Sequence, residues 1–164
     1  MSKQVETAYD SRGNVESVFA TLTSPEWAQR KAERLRDGTQ LVRREEQPDG
    51  GVLFEVSREL PGGVPGFLER FLPKDGRVRQ TDEWGPATGG ERHGTWRVEI
   101  PGAPARLGGT MRLEPLAAGC RYTIEGDVKV SVPIVGGKAE GFIGDLVVKL
   151  AGKEAGLLED ALPD

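Results

Sequence analysis

The sequence predicts an α+β domain in which an antiparallel sheet closes around a long C-terminal helix. Three observations carry this. From Pro133 to Leu162 the apolar residues Val135, Ala139, Phe142, Ile143, Leu146, Val147, Leu150, Leu157, Leu158, Ala161 and Leu162 recur in steps of three and four. That spacing is a helix with one apolar face. Almost everything between Gln40 and Val132 reads as short alternating runs separated by turn residues, which is the pattern of strands. No other segment is helical at comparable length, so the terminal helix has only the sheet to lie on.

The elements follow in order. Gln4 to Tyr9 alternates, with Val5, Thr7 and Tyr9 on one face, and is a first strand. Asn14 or Val15 to Leu22 is a short helix with Val15, Val18, Phe19 and Leu22 on its apolar side. Ser24-Pro25-Glu26 starts a second helix, with Ser24 as N-cap, Pro25 at the first helical position and Glu26 in the first turn. It stops at Asp37-Gly38. Gln40 to Gln47 and Val52 to Leu60 are strands joined by a Pro48-Asp49-Gly50-Gly51 hairpin turn. Pro61 to Pro73 breaks the alternation, and Val64, Phe67, Leu68, Phe71 and Leu72 suggest a helical turn or an apolar, lid-like loop. Strands resume at Arg77–Trp84, Glu91–Ile100, Ala105–Glu114 and Arg121–Val132. Gly126 interrupts the apolar phase of the last one, a place for a kink or a close backbone approach. The order is β-α-α-β6-α. Short connections between consecutive strands make an antiparallel meander of seven strands with one wet face.

Length and composition bound the rest. At 164 residues the chain is expected to be a single ligand-binding domain over 1–164. Its 23 glycines and 11 prolines exceed the ordinary share and punctuate a turn-rich β region. A net charge of −4 with interleaved signs removes the electrostatic footprint of a nucleic-acid binder. It removes that of a membrane-surface protein as well. One cysteine, Cys120, excludes an internal disulfide and a thiolate metal cluster; its plainest role is a small half-buried strand residue. Neither an apolar leader nor a membrane-length apolar run is visible, so stable membrane insertion is not expected and a cytoplasmic location is.

The element order resembles the helix-grip fold of the START lipid-transfer domains, the birch-pollen-allergen (Bet v 1)-like proteins and the polyketide cyclases, the SRPBCC superfamily. Three stretches look like an uncharacterised branch of it, the domain-of-unknown-function family 2505. They are Val18 to Trp27, the strand end Asp82-Glu83-Trp84, and Gly126 to Pro133 leading into Gly136-Gly137-Lys138-Ala139-Glu140. The resemblance spans the whole chain. It implies a curved seven-stranded sheet gripping the helix, with a deep apolar cavity between them. It implies no shared reaction, because members bind, carry, cyclise or hydrolyse.

In such a cavity Phe54, Val56, Val78, Trp84, Trp96, Val98, Met111, Leu113, Tyr122, Ile124 and Val128 would line the sheet side. Phe142, Ile143, Leu146 and Leu150 would roof it. The same residues would also make a solid core, and periodicity does not separate the two. Arg58, Gln80 and Asp82 are polar residues in the apolar phase. They would orient a polar group of a ligand, sit at open strand ends, or pair Arg58 with Asp82.

The expected ligand is a small hydrophobic or amphipathic molecule of lipid, polyketide or isoprenoid type. No catalytic set, metal site or cofactor is expected, and the oligomeric state is not legible. An alternative is a cyclase- or hydrolase-like enzyme using Arg58, Asp82, His93 or Tyr122, which requires at least two of them to converge. Another is an interaction module using a sheet edge or the Pro61–Pro73 segment. His93, the only histidine, is expected to be exposed, and Glu140 is expected to be a solvated helix carboxylate. Gly136-Gly137-Lys138 lacks the spacing of a phosphate loop; the glycines most simply let the chain turn from strand into helix.

Overall fold

The computed structural model describes residues 2–60 and 64–163. In chain order the elements are β1 (Lys3–Ser11), α1 (Val15–Leu22), α2 (Pro25–Leu35), β2 (Gln40–Glu46), β3 (Val52–Glu59), α3 (Gly66–Glu69), β4 (Arg77–Trp84), β5 (Arg92–Glu99), β6 (Ala105–Pro115), β7 (Cys120–Val130) and α4 (Gly136–Ala161). The seven strands form one antiparallel sheet in the order β1-β7-β6-β5-β4-β3-β2. Consecutive strands pair from β2 to β7, and β1 closes on the far side of β7. This is the expected α+β helix-grip architecture.

Local chemistry sets the helix starts. The Asn14 side chain accepts a hydrogen bond from the Ser17 amide at 2.8 Å, and Ser24 accepts from the Trp27 amide at 3.2 Å. These caps satisfy amides that the first turn leaves unpaired. The second helix ends at Leu35, two residues before the expected stop, because Arg36 takes a left-handed conformation with φ of 52°. The terminal helix begins at Gly136, later than the apolar pattern suggests, because Ile134 is also left-handed, with φ of 72°. A Cβ on Gly136 would meet the Val130 carbonyl oxygen at 2.6 Å. That close approach lets the chain reverse from β7 into α4.

The helix α4 lies across the inner face of the sheet, mainly against β1 and β7. One half of the enclosed space is packed solid. Phe54, Trp84, Trp96, Met111, Leu113 and Val128 are all buried there, together with Val18, Phe19 and Trp27 from the short helices. Phe19 meets Trp84 edge-on at 5.9 Å between ring centres. Gly126 permits the expected close approach, since a Cβ there would stand 2.6 Å from Trp96 Cζ2.

Arg92 closes this end. Its guanidinium is bonded to both Glu16 oxygens at 2.9 and 2.7 Å and to the Gly50 and Gly85 carbonyls at 3.0 Å each. It also stands 3.8 Å over the Phe19 ring. The outer face is polar as expected. Glu55 is nonetheless buried there, under Arg43 and Arg79, which approach it at 3.6 and 3.2 Å.

Candidate functional site

The opposite half of the sheet–helix space is hollow. A cavity of about 690 Å³ lies among the end of β3, the start of β4, the end of β5, the start of β6 and the middle of α4. That volume is in the range that holds a small organic ligand. From the expected lining it brings together Arg58, Val78, Val98, Phe142, Ile143, Leu146 and Leu150. Leu35, Leu60, Val64, Leu68, Phe71, Leu72, Ile100, Leu107, Val130 and Val147 complete its apolar walls. The α3 segment thus forms one wall; Pro61, Gly62 and Gly63 of the Pro61–Pro73 stretch lie outside the described residues. The four bulky residues of α4 are half-buried rather than sealed, because the space they face is open.

The remaining residues of the expected lining do not border this cavity. Phe54, Val56, Trp84, Trp96, Met111, Leu113 and Val128 fill the solid half. Gln80, Asp82, Tyr122 and Ile124 point inward from the middle of β4 and β7, and each keeps some accessible surface. The tyrosine hydroxyl donates to the Met111 sulfur at 3.5 Å.

A charged layer separates the two halves. Lys31 of α2, itself buried, reaches Glu154 of α4 at 3.2 Å. Arg58 of β3 approaches the same carboxylate oxygen at 3.9 Å. Gln80 Nε2 donates to Asp82 Oδ1 at 3.2 Å. The arrangement answers the question of Arg58: its ion-pair partner is Glu154, and Asp82 is its more distant electrostatic neighbour.

Burial pushes the Asp82 carboxyl up to about 6, against the opposing pull of Lys31 and the Gln80 hydrogen bond. Burial also acts on Glu154, but Lys31 and Arg58 together outweigh it and hold that carboxyl below its usual range. The Tyr122 hydroxyl is driven well above its ordinary value by burial and by the Asp82 and Glu154 charges. Glu154 Oε1 is buried with both cations beside it and no well-formed hydrogen bond.

Of three charged groups here and nearby, two escaped the sequence reading and one was read with the wrong surroundings. Lys31 and Glu154 sit on helices that carry several charged residues, and one charge among many looks solvated. Glu140 is the third. The expectation of a solvated carboxylate is overturned: Glu140 is buried and accepts a hydrogen bond from the Val130 amide at 2.9 Å. It satisfies a strand-end donor that would otherwise be orphaned.

His93 lies on the outer face, exposed, 2.9 Å from Glu91, and does not join Arg58, Asp82 and Tyr122. Lys138 stands over the Phe67 ring at 5.0 Å. Among the described residues no group of His, Cys, Asp or Glu is arranged to hold a metal ion. Nor is any described helix long and apolar enough to cross a membrane.

Comparison with known proteins agrees with this architecture. Residues 5–162 match the model of a family described as "Protein of unknown function (DUF2505)". An uncharacterized protein of Mycobacterium tuberculosis is 28% identical over 158 residues, covering 92% of this chain and 91% of its own. The di-domain aromatase/cyclase StfQ from the steffimycin biosynthetic pathway superposes with a TM-score of 0.65 at 15% identity, over 99% of this chain and 51% of its own. Norcoclaurine synthase from Thalictrum flavum, in complex with dopamine and hydroxybenzaldehyde, superposes with a TM-score of 0.54 at 13% identity, over 100% and 90%. At such identities the structural likeness establishes the fold alone.

Proposed function

Because the chain belongs to the DUF2505 family of proteins of unknown function, its role must be read from its own geometry, and we propose that it binds a small hydrophobic or amphipathic molecule between sheet and terminal helix. The observation that carries this is the cavity of about 690 Å³ walled by aliphatic and aromatic side chains. Burying an apolar ligand there is favourable by about 25 cal/mol per Å² removed from water. The ligand class is of lipid, polyketide or isoprenoid type, and the chain acts as one ligand-binding unit in the cytosol. The di-domain aromatase/cyclase and the small-molecule complex of norcoclaurine synthase lend support by fold.

Titration calorimetry with 1-decanol and decanoate tests the reading. Saturable one-to-one binding of at least one of them is expected. Heats no larger than dilution for both would remove the proposal.

A second reading, an enzyme acting on such a ligand, is favoured by one observation. Asp82 lies within electrostatic reach of both Arg58 and Tyr122 on the inner face of the sheet, although Arg58 alone of the three borders the cavity. The Asp82 carboxyl sits at about 6, suited to proton transfer near neutrality. Proton exchange at the α-carbon of 2-decanone in heavy water is the test. Protein-accelerated exchange that disappears in Asp82→Asn would support catalysis; exchange at the buffer rate would reject it.

A further inference from the structure

Resting on the cavity reading above, we propose that the ligand carries an anionic, carboxylate-like group that docks on Arg58 inside the cavity. Arg58 is the polar group best placed to receive one. Its side chain is 14% exposed and borders the cavity. Among the described residues it makes one long ion pair, 3.9 Å to Glu154, and no hydrogen bond. A guanidinium presents five donors in a planar fork. A guanidinium that borders an apolar cavity with no hydrogen-bond partner among the described residues is a receptor for a planar acceptor. Glu154 does not fill that need as placed: its nearest oxygen stands 3.9 Å away, beyond hydrogen-bond reach, and lies closer to Lys31, at 3.2 Å.

The charge around the opening agrees. The whole chain carries −4, yet the charged residues bordering the cavity are Arg34, Arg36, Arg58 and Lys153 against Asp37 and Glu59. Arg34, Arg36 and Lys153 are exposed and, among the described residues, unpaired. A cleft with an excess of one sign over apolar walls concentrates ligands of the opposite sign. The outer cations therefore attract the anion, Arg58 fixes it, and Phe142, Ile143 and Leu146 cover its apolar body.

Decanoate and 1-decanol share a chain and differ at the head, so calorimetry with both isolates the head group. A hydrogen-bonded charge is worth enough that decanoate should bind at least about tenfold more tightly. In Arg58→Gln that preference should collapse toward one. In the triple variant Arg34→Gln, Arg36→Gln, Lys153→Gln the preference should persist at about 0.5 M salt, where outer charges are screened.

Decanol binding as tightly as decanoate would overturn the head-group assignment and leave the cavity reading standing, whereas binding of neither would overturn both. A preference that survives Arg58→Gln would also overturn it. Should that variant fail to fold, decanoate labelled with carbon-13 at its carboxyl serves on the native protein. The bound carboxyl resonance should stay ionised well below its free titration midpoint. Titration at or above that midpoint would reject the contact with Arg58.

Discussion

Lys31 and Glu154 meet at 3.2 Å between α2 and α4, and this pair ties the short N-terminal helices to the terminal one. Lys31 is almost wholly buried. Removing one partner of a buried pair strands the other charge. Lys31→Met should therefore destabilise the fold by about 3 kcal/mol, read from urea unfolding. The double variant Lys31→Met, Glu154→Gln should recover much of the loss. If the double variant is as weak as the sum of the singles, the pair is not coupled.

Asp82 makes stability depend on pH in a defined direction. Its folded-state carboxyl lies at about 6 against an ordinary 3.8. Between these values the folded chain holds a proton that the unfolded chain has released. Stability from this group is therefore greatest below about 4 and declines as pH rises through 6. Lys31, Arg58, Gln80 and Glu154 face it; Glu154 shifts the other way and titrates at lower pH. Urea midpoints of the native protein relative to Asp82→Asn should fall between pH 4.5 and 6.5 and then level. A difference that is flat, or that rises, contradicts the burial of this carboxyl.

Leu146 borders the cavity from α4. An indole there extends into space that is already empty. Leu146→Trp should lower decanol affinity by at least about tenfold while unfolding free energy moves by less than about 1.5 kcal/mol, the range for tolerated apolar swaps. Undiminished affinity would place the ligand elsewhere.

Glu140 tests the joint between sheet and helix. Its carboxylate accepts from the buried Val130 amide at 2.9 Å. Glu140→Gln keeps an acceptor and should cost little. Glu140→Ala leaves that amide without a partner and should cost about 1–3 kcal/mol. Equal losses in the two variants, measured by thermal unfolding, would show that the hydrogen bond contributes nothing.

Much of the architecture was legible because it is written in local chemistry. Asn14, Ser24 and Pro25 mark helix starts through backbone donors they cap or lack. The run Pro48 to Gly51 marks a hairpin through the backbone angles it tolerates. Alternation over β3 to β7 marks an inner and an outer face. The site was legible only in part, and the reason is physical. An inward apolar residue has the same pattern whether it meets a neighbour or a void. Val78 and Val98 face the void and Phe54 and Trp96 do not, yet all four sit in the same phase. Whether a polar residue is solvated or ion-paired depends on partners far away in sequence. Arg58, Lys31 and Glu154 belong to three separate elements, and no local window contains them together.

The one cysteine of the chain is fully sealed, at the start of β7, with its thiol pushed up to about 11 by burial and by the Glu159 and Asp10 charges. A group so protonated and so enclosed reacts with electrophiles only when the surrounding structure comes apart. Alkylation of Cys120 is thus a built-in clock for rare opening events. Its half-life under native conditions would show how far an occupied interior slows the molecule's breathing, without any engineered label.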